Sequence, residues 1–155
     1  MSAITSPLND SDRKIVGECL QGALIDLIDL SLLAKQAHWN LVGRNFRSLH
    51  LQLDEIVDVA RKHTDRVAER AIAIGVNPDG RCGTVARETQ LKQLNAGYLQ
   101  DTQVVEAFTD ILEGCVRRMR ERVDRTEQPD PVTQDLLIEA AQDIEQQHWM
   151  MQAQR

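Results

Sequence analysis

In two stretches of almost 30 residues each, apolar side chains recur every three or four positions. The first stretch carries this pattern from Ile15 to Leu32 and meets no helix-breaking residue before Gly43, and the second runs from Phe46 to Gly75. Such spacing places the apolar side chains on one face of an α-helix. Helices of this length, roughly 45 Å, far exceed the mean of about 12 residues, and they favour a long antiparallel bundle.

Two further helices are predicted in the second half of the chain. Apolar spacing resumes after Asp101 and continues until the sequence Pro129-Asp130-Pro131 interrupts it. Asp130 and Pro131 suit the N-cap and first position of a fourth helix, because a carboxylate accepts a free backbone N–H there and proline needs none. We therefore predict four long helices.

The connection between the second and third helices is unusually long. Residues 76–100 begin with the turn sequence Asn-Pro-Asp-Gly, and their length fits a crossover between the two halves of a bundle. A structureless loop of this size is uncommon, so we expect a short helix near residues 91–94. Ser11 or Asp12 is predicted to cap the first helix, and Asn45 the second.

The composition agrees with one all-α domain. Apolar residues make up 42% and charged residues 27% of the 155, as in folded globular chains, whereas aromatics are only 3%. We predict a short polar tail over residues 1–10 and a single four-helix-bundle domain over residues 11–155. The sequence has no apolar run of about 18 residues for a membrane span and no visible secretion signal. Three widely separated cysteines fit a reducing, cytoplasmic compartment.

Histidines and carboxylates recur at helical spacing. His38 lies near the end of the first helix, His50 and Asp54 are four residues apart on the second, and so are Asp65 and Glu69. Imidazole and carboxylate are ligands for iron, manganese or zinc. The acidic pair could equally form surface ion pairs with neighbouring basic residues, and spacing alone leaves both interpretations open. The other histidines are expected to pair locally or lie at the surface without binding metal: His63 and His148.

These residues together resemble the Dps family, the ferritin-like DNA-binding proteins from starved cells, and in particular members without a basic tail. The family's ferroxidase ligands are a His, a His twelve positions on, then Asp, Asp and Glu after four, eleven and four more positions. Here this order falls on His38, His50, Asp54, Asp65 and Glu69. The similarity includes the surrounding residues 38–43 and 68–70 and extends over nearly the whole chain.

The resemblance implies a fold and an activity. The fold is a ferritin-like four-helix bundle with a long crossover connection, and the assembly is a hollow homo-dodecamer. The activity is oxidation of Fe(II) by hydrogen peroxide, O2 or both, with storage of Fe(III) mineral inside the shell. Two ferrous ions can reduce one peroxide to water without releasing hydroxyl radical, which protects DNA.

The resemblance also implies roles for residues outside the ligand set. Trp39 matches a tryptophan near the iron site that could donate an electron, although a packing role is equally consistent. Asp130 and Asp135 match acidic residues that line a threefold pore, but Asp130 could instead serve only as a helix cap. Glu55 matches an acidic position that faces the mineral cavity and nucleates iron.

The spacing of the ligands limits where iron can bind. Asp54 and Asp65 are eleven residues apart, or roughly 16 Å along a helix, whereas ligands of one ion converge within about 2–2.5 Å of it. The two halves therefore cannot share an ion within one chain. A twofold axis near Val59 or Ala60 would complete each site from two copies. Asp65 is expected to be a ligand or to orient an imidazole.

Two alternatives concern what the protein binds. The residues before Arg13 include no Lys or Arg, the chain ends at Arg155 without a basic extension, and the net charge is −6. Twelve copies would carry roughly −70, which opposes contact with phosphates. We therefore expect weak or absent DNA binding, with a nucleoid-binding structural protein of stationary phase as the first alternative. The second is a four-helix interaction module without metal.

Overall fold

A computed structural model describes residues 3–155 and is almost entirely helical. Five helices and two short strands follow one another in the order α1 (Asp10–Asn40), β1 (Leu41–Val42), α2 (Phe46–Ala73), α3 (Cys82–Glu88), β2 (Leu99–Gln100), α4 (Asp101–Thr126) and α5 (Pro131–Gln152). This confirms the all-α prediction and the four long helices. Across residues 3–155 no helix has both the length and the apolar character that a membrane crossing requires.

The core lies between two helical pairs. Helix α1 packs most extensively on α2, and α4 on α5, and the two pairs then face each other. Large side chains such as Leu20, Leu53, Phe108 and Leu137 are fully buried there, each stabilising the fold by roughly 1.5–3 kcal/mol. Cys19 and Cys115 also lie in this core, and burial raises the pKa of the Cys115 thiol to about 12.

A buried ionic cluster links the two helical pairs. Asp26 on α1 is only 3% exposed, and it accepts hydrogen bonds from Arg118 at 2.9 Å and Arg122 at 2.8 Å on α4. Both arginines are largely buried as well. Removing Asp26 would leave two largely buried arginines without their carboxylate partner, so the cluster fixes how α1 and α4 face each other.

Several apolar side chains of the predicted stripes are not buried in one chain. Leu32, Phe46 and Val132 are 55%, 43% and 63% exposed, so one chain alone buries only part of its apolar stripes. Other large apolar side chains are exposed too: Trp39, Leu51, Ile72, Tyr98, Ile138 and Trp149. Exposed apolar surface on this scale is typical of interaction faces.

The crossover connection differs from the prediction. Its short helix is α3, at Cys82–Glu88, and not near residues 91–94. The turn before α3 is organised by Asp79, which accepts hydrogen bonds from the Arg81 backbone at 3.2 Å and the Thr84 hydroxyl at 2.8 Å. Residues after α3 are instead held extended against α1, where Gln93 donates to Asp29 at 2.9 Å.

The helix caps follow the prediction only in part. Helix α1 begins one residue earlier than the predicted domain boundary, because Asn9 caps it by accepting the Asp12 N–H at 2.9 Å; neither Ser11 nor Asp12 is the cap. Asn45 occupies the N-cap position of α2, but its side chain makes no capping hydrogen bond. Asp130 caps α5 as predicted, accepting the Val132 N–H at 3.2 Å.

The turn between α1 and α2 is tied to the start of α4. Strand β1, which ends α1 at Asn40 rather than at Gly43, pairs in parallel with β2. Gly43 adopts a φ of +136°, and a Cβ there would lie 2.4 Å from the Asp101 carboxyl carbon. Asp101 accepts the Asn45 N–H at 2.9 Å. This junction sets the relative position of the end of α1 and the start of α2.

Candidate metal centre

His38 and His50 form a stacked pair beside that junction. Their ring centroids are 3.6 Å apart and their planes differ by 17°. His38 Nδ1 lies 2.8 Å from the His50 carbonyl oxygen, and His50 Nδ1 lies 3.0 Å from the His38 carbonyl oxygen. Because a carbonyl only accepts, each Nδ1 must carry the hydrogen. The lone pair of each neutral imidazole is therefore on Nε2, the nitrogen left for a metal.

Asp54 stands next to this pair as an ionised carboxylate. Its Oδ1 accepts a hydrogen bond from the Lys35 ammonium and lies 3.4 Å from His38 Nδ1. The hydrogen bond from Lys35 is the main reason that the pKa of Asp54 is lowered from its ordinary value. The carboxylate thus carries its charge at neutral pH, with Lys35 as the cation that a metal ion would have to share it with.

Asp65 and Glu69 lie apart from these three residues, further along α2. Helix α2 is unbroken from Phe46 to Ala73, so about 16 Å of helix separates Asp54 from Asp65. Both Asp65 and Glu69 are exposed. Within one chain His38 stacks on His50 and Asp54 lies 3.4 Å from His38 Nδ1, whereas the acidic pair lies elsewhere on α2.

Basic residues near Asp65 and Glu69 on α2 pair with other carboxylates. Lys62 and Arg66 pair with Glu139 on α5, and Arg70 pairs with Asp130. Within residues 3–155, no ion pair to Asp65 or Glu69 is found. Their charges therefore point outward from α2 without compensation in the single chain.

The remaining predicted residues lie around these groups. Trp39 follows His38 and is 68% exposed. Glu55 and Asp135 are exposed, whereas Asp130 is 4% exposed. Although burial, the largest influence, raises the pKa of Asp130, hydrogen bonds from Thr133 and Arg70 lower it overall. Asp130 is thus engaged as a cap and ion-pair partner, which leaves Asp135 as the accessible candidate for a pore.

Two features of this neighbourhood are not among the sequence-based predictions. Phe46 stacks on His50 with centroids 4.9 Å apart, and its position four residues earlier on the same helix was the available signal. His63, predicted to have no metal role, lies with Glu139 and Asp143 in the one group of the described residues whose three ligand atoms are all within 4.8 Å of one another. This group joins α2 to α5, so no local spacing indicates it.

Comparison with known proteins identifies the family. Residues 18–155 match the model of the ferritin-like domain. The fold superposes on the tetragonal form of Mycobacterium smegmatis Dps with a TM-score of 0.93 and 31% identity, over 99% of this chain and 94% of that one. The chain belongs to the Dps family of ferritin-like proteins. This Dps-family chain also superposes on Dps92 from Deinococcus radiodurans with a TM-score of 0.90 and 37% identity, over 92% of this chain and 87% of that one.

Curated relatives support the same assignment. DNA protection during starvation protein 2 of Deinococcus radiodurans is 37% identical over 142 residues, which are 92% of this chain and 59% of that protein. The Dps-family chain thus spans less than two thirds of the length of that relative. DNA protection during starvation protein of Mycolicibacterium smegmatis is 32% identical over 158 residues, covering 99% of this chain and 84% of the relative.

Proposed function

We propose that this protein is a ferroxidase and iron store. It oxidises Fe(II) with hydrogen peroxide, O2 or both, retains the Fe(III) mineral inside a dodecameric shell, and so protects DNA. The observation that carries the proposal is the His38–His50 pair. Both rings keep Nε2 free of the crossed hydrogen bonds, and the ionised Asp54 lies beside them. Two such imidazoles and a carboxylate suit a first-row metal ion.

A second copy of the chain would complete the site. Eleven residues are three helical turns plus about 20°, so Asp54 and Asp65 face nearly the same side of α2. A twofold axis near Val59 or Ala60 would set two α2 helices antiparallel. Asp65 and Glu69 of one copy would then lie opposite His38, His50 and Asp54 of the other. The uncompensated charge of Asp65 and Glu69 supports this arrangement.

The residues supply distinct parts of the oxidation. Neutral imidazoles hold Fe(II), and carboxylates stabilise the more highly charged Fe(III). Two Fe(II) ions give one electron each to hydrogen peroxide, its O–O bond breaks, and two protons complete two waters. Trp39, exposed beside His38, is the proposed electron donor when oxidant exceeds iron. Glu55 and Asp135 stay predicted nucleation and pore residues.

Iron oxidation is tested by adding Fe(II) to the protein without oxygen and then titrating hydrogen peroxide. Two Fe(II) oxidised per peroxide consumed is expected, measured by absorbance, with mineral-filled particles after repeated additions. A chain carrying both His50→Ala and Glu69→Ala is the control and should show only the uncatalysed rate. If the native chain oxidises iron no faster than this control, the ferroxidase proposal fails in favour of a module without metal.

We expect the protein to assemble in solution. Leu32, Phe46, Val132 and Trp149 are each at least 43% exposed in one chain, and packing against further copies would bury such surface. Light scattering should give about twelve times 17.5 kDa, or roughly 210 kDa for the closed shell. A uniform monomer at micromolar concentration would contradict this prediction.

DNA binding is expected to be weak near neutral pH. The net charge of −6 per chain repels phosphates, whose contacts supply most non-specific affinity. Plasmid DNA should migrate freely in a gel-shift assay at about 150 mM salt, where screening is already strong. Retention of the plasmid under these conditions would instead favour the nucleoid-binding alternative.

A further inference from the structure

A second group of ligand-type side chains lies on the α2–α5 interface. His63 on α2 is fully buried, and its Nε2 lies 2.7 Å from Asp143 Oδ2 on α5. Glu139 is four residues before Asp143, so the two carboxylates share one face of α5. One donor atom from each of the three residues lies within 4.8 Å of the others.

A positive charge already occupies the space between the two carboxylates. Lys62 Nζ is 3.1 Å from Glu139 Oε1 and 3.1 Å from Asp143 Oδ2. Its side chain is 50% exposed, so it can turn out into solvent when another cation takes its place. The position of the ammonium therefore shows where the two carboxylates together attract a cation.

We propose that His63, Glu139 and Asp143 form a divalent metal site for a first-row transition ion, which the metal enters by displacing the Lys62 ammonium. The ligand set of one imidazole and two carboxylates suits Zn2+, Co2+, Mn2+ or Fe2+. Such an ion would also place two positive charges between the two carboxylates, where Lys62 places only one. Water would fill the remaining coordination positions on the open side.

The exposure of the three ligands fits a site that is closed toward the protein interior and open to solvent. Glu139 is 43% and Asp143 31% exposed at the side chain, whereas His63 is at 0%. An ion can therefore arrive from solvent and meet a fixed imidazole. Glu139, the most exposed of the three, would have to move closer to the other two, since donors around one ion at about 2.1 Å lie closer together than 4.8 Å.

The two oxygens of Glu139 are each paired with a different cation. Arg66 contacts Glu139 through Oε2, while Lys62 uses Oε1. The displacement of Lys62 therefore frees one oxygen of Glu139 and leaves Arg66 in place to hold the other.

Metal binding would not increase the number of unpaired nitrogens on the His63 ring. His63 Nδ1 is buried and has no hydrogen-bond partner within residues 3–155. Nε2 is the nitrogen directed at Asp143, so it is the one that would ligate, and Nδ1 would then carry the hydrogen. One unpaired ring nitrogen remains in either case, so metal binding adds no further buried polar atom without a partner.

This site is separate from the proposed ferroxidase centre. Asp65 follows His63 by two residues, or about 200° around the helix, so the two side chains leave α2 on opposite sides. Asp65 is exposed, whereas His63 faces α5. The site requires no second copy of the chain, and its presence does not depend on ferroxidase activity.

Co2+ binding to the full-length protein tests the proposal, read as bound ions per chain by equilibrium dialysis and as the visible spectrum of bound Co2+. His50→Ala in every sample removes a ligand of the proposed ferroxidase centre. In this background we expect Lys62→Gln to tighten Co2+ binding at least tenfold and Asp143→Asn to weaken it at least tenfold. Glu139→Gln, at a more exposed position, should also weaken binding if Asp143→Asn fails to fold.

Arg61→Gln is the matched control for Lys62→Gln. It removes the same charge from an exposed neighbouring position on α2, for which no ion pair is found in the described part of the chain. Affinity should then change by less than threefold. Equal tightening by Arg61→Gln and Lys62→Gln would overturn the proposal, and so would Co2+ binding that none of the ligand substitutions weakens.

Discussion

Mixed assembly of two inactive variants should restore about a quarter of the native ferroxidase activity. His50→Ala removes an imidazole from one half of the proposed site, and Glu69→Ala removes a carboxylate from the other half. In a twofold pair containing one chain of each kind, one site receives both intact halves and the other receives both defects. Random association makes half of the pairs mixed, so roughly one site in four is complete.

The experiment requires subunits to exchange before the assay. The two variants are unfolded together at equal concentration, refolded, and compared with each variant refolded alone, by the initial rate of Fe(II) oxidation. Asp58→Ala, an exposed carboxylate on α2 outside the ligand set, controls for loss of negative charge and should keep nearly full activity. Mixed shells as inactive as their parents would exclude a site shared between copies.

Gly43→Ala should destabilise the folded chain by roughly 2–4 kcal/mol. The φ of +136° at Gly43 disfavours any side chain, and the new Cβ would lie 2.4 Å from the Asp101 carboxyl carbon. For a chain of this size the loss corresponds to a fall in Tm of about 4–16 °C. Thermal unfolding followed by circular dichroism at fixed protein concentration measures it.

Two comparisons separate the causes of that loss. Gly83→Ala is the matched control, because its Cβ would meet no atom within 4 Å, and its Tm should change little. Adding Gly43→Ala to an Asp101→Ala variant keeps the strained φ but removes the clash. The fall in Tm that Gly43→Ala causes should therefore be smaller in the Asp101→Ala background than in the native chain. An unchanged Tm for Gly43→Ala alone would show that this junction does not hold the ends of α1 and α2.

Local patterns explain which parts of the structure could be predicted. The helices follow from apolar spacing, and Asp130 with Pro131 gives the start of α5 because that signal is contained in adjacent residues. The short helix was misplaced because Asp29, some 60 residues earlier, holds Thr89 and Gln93 in a non-helical path. Contacts between distant segments leave no local trace in a sequence.

The candidate site likewise combines features that local sequence predicts with features that depend on distant contacts. The five proposed ligand positions come from the family spacing, but the crossed hydrogen bonds between His38 and His50 require the folded junction. The group around His63 was missed because its partners come from α5, some 80 residues later. Asp54 was foreseen as a ligand, but Lys35 as its ionic partner was not.

The pairing of α1 with α2 and of α4 with α5 bears on how the chain folds. Each pair is a helical hairpin, closed by five linking residues in the first and four in the second, and such short loops close on the order of 10–100 ns. Docking of the hairpins closes a much longer loop at a greater entropic cost. Asp26 and its two arginines meet only when the hairpins dock, so these charges lose their water late in folding. We therefore expect a transition state in which both hairpins are formed but the interface between them is not yet packed.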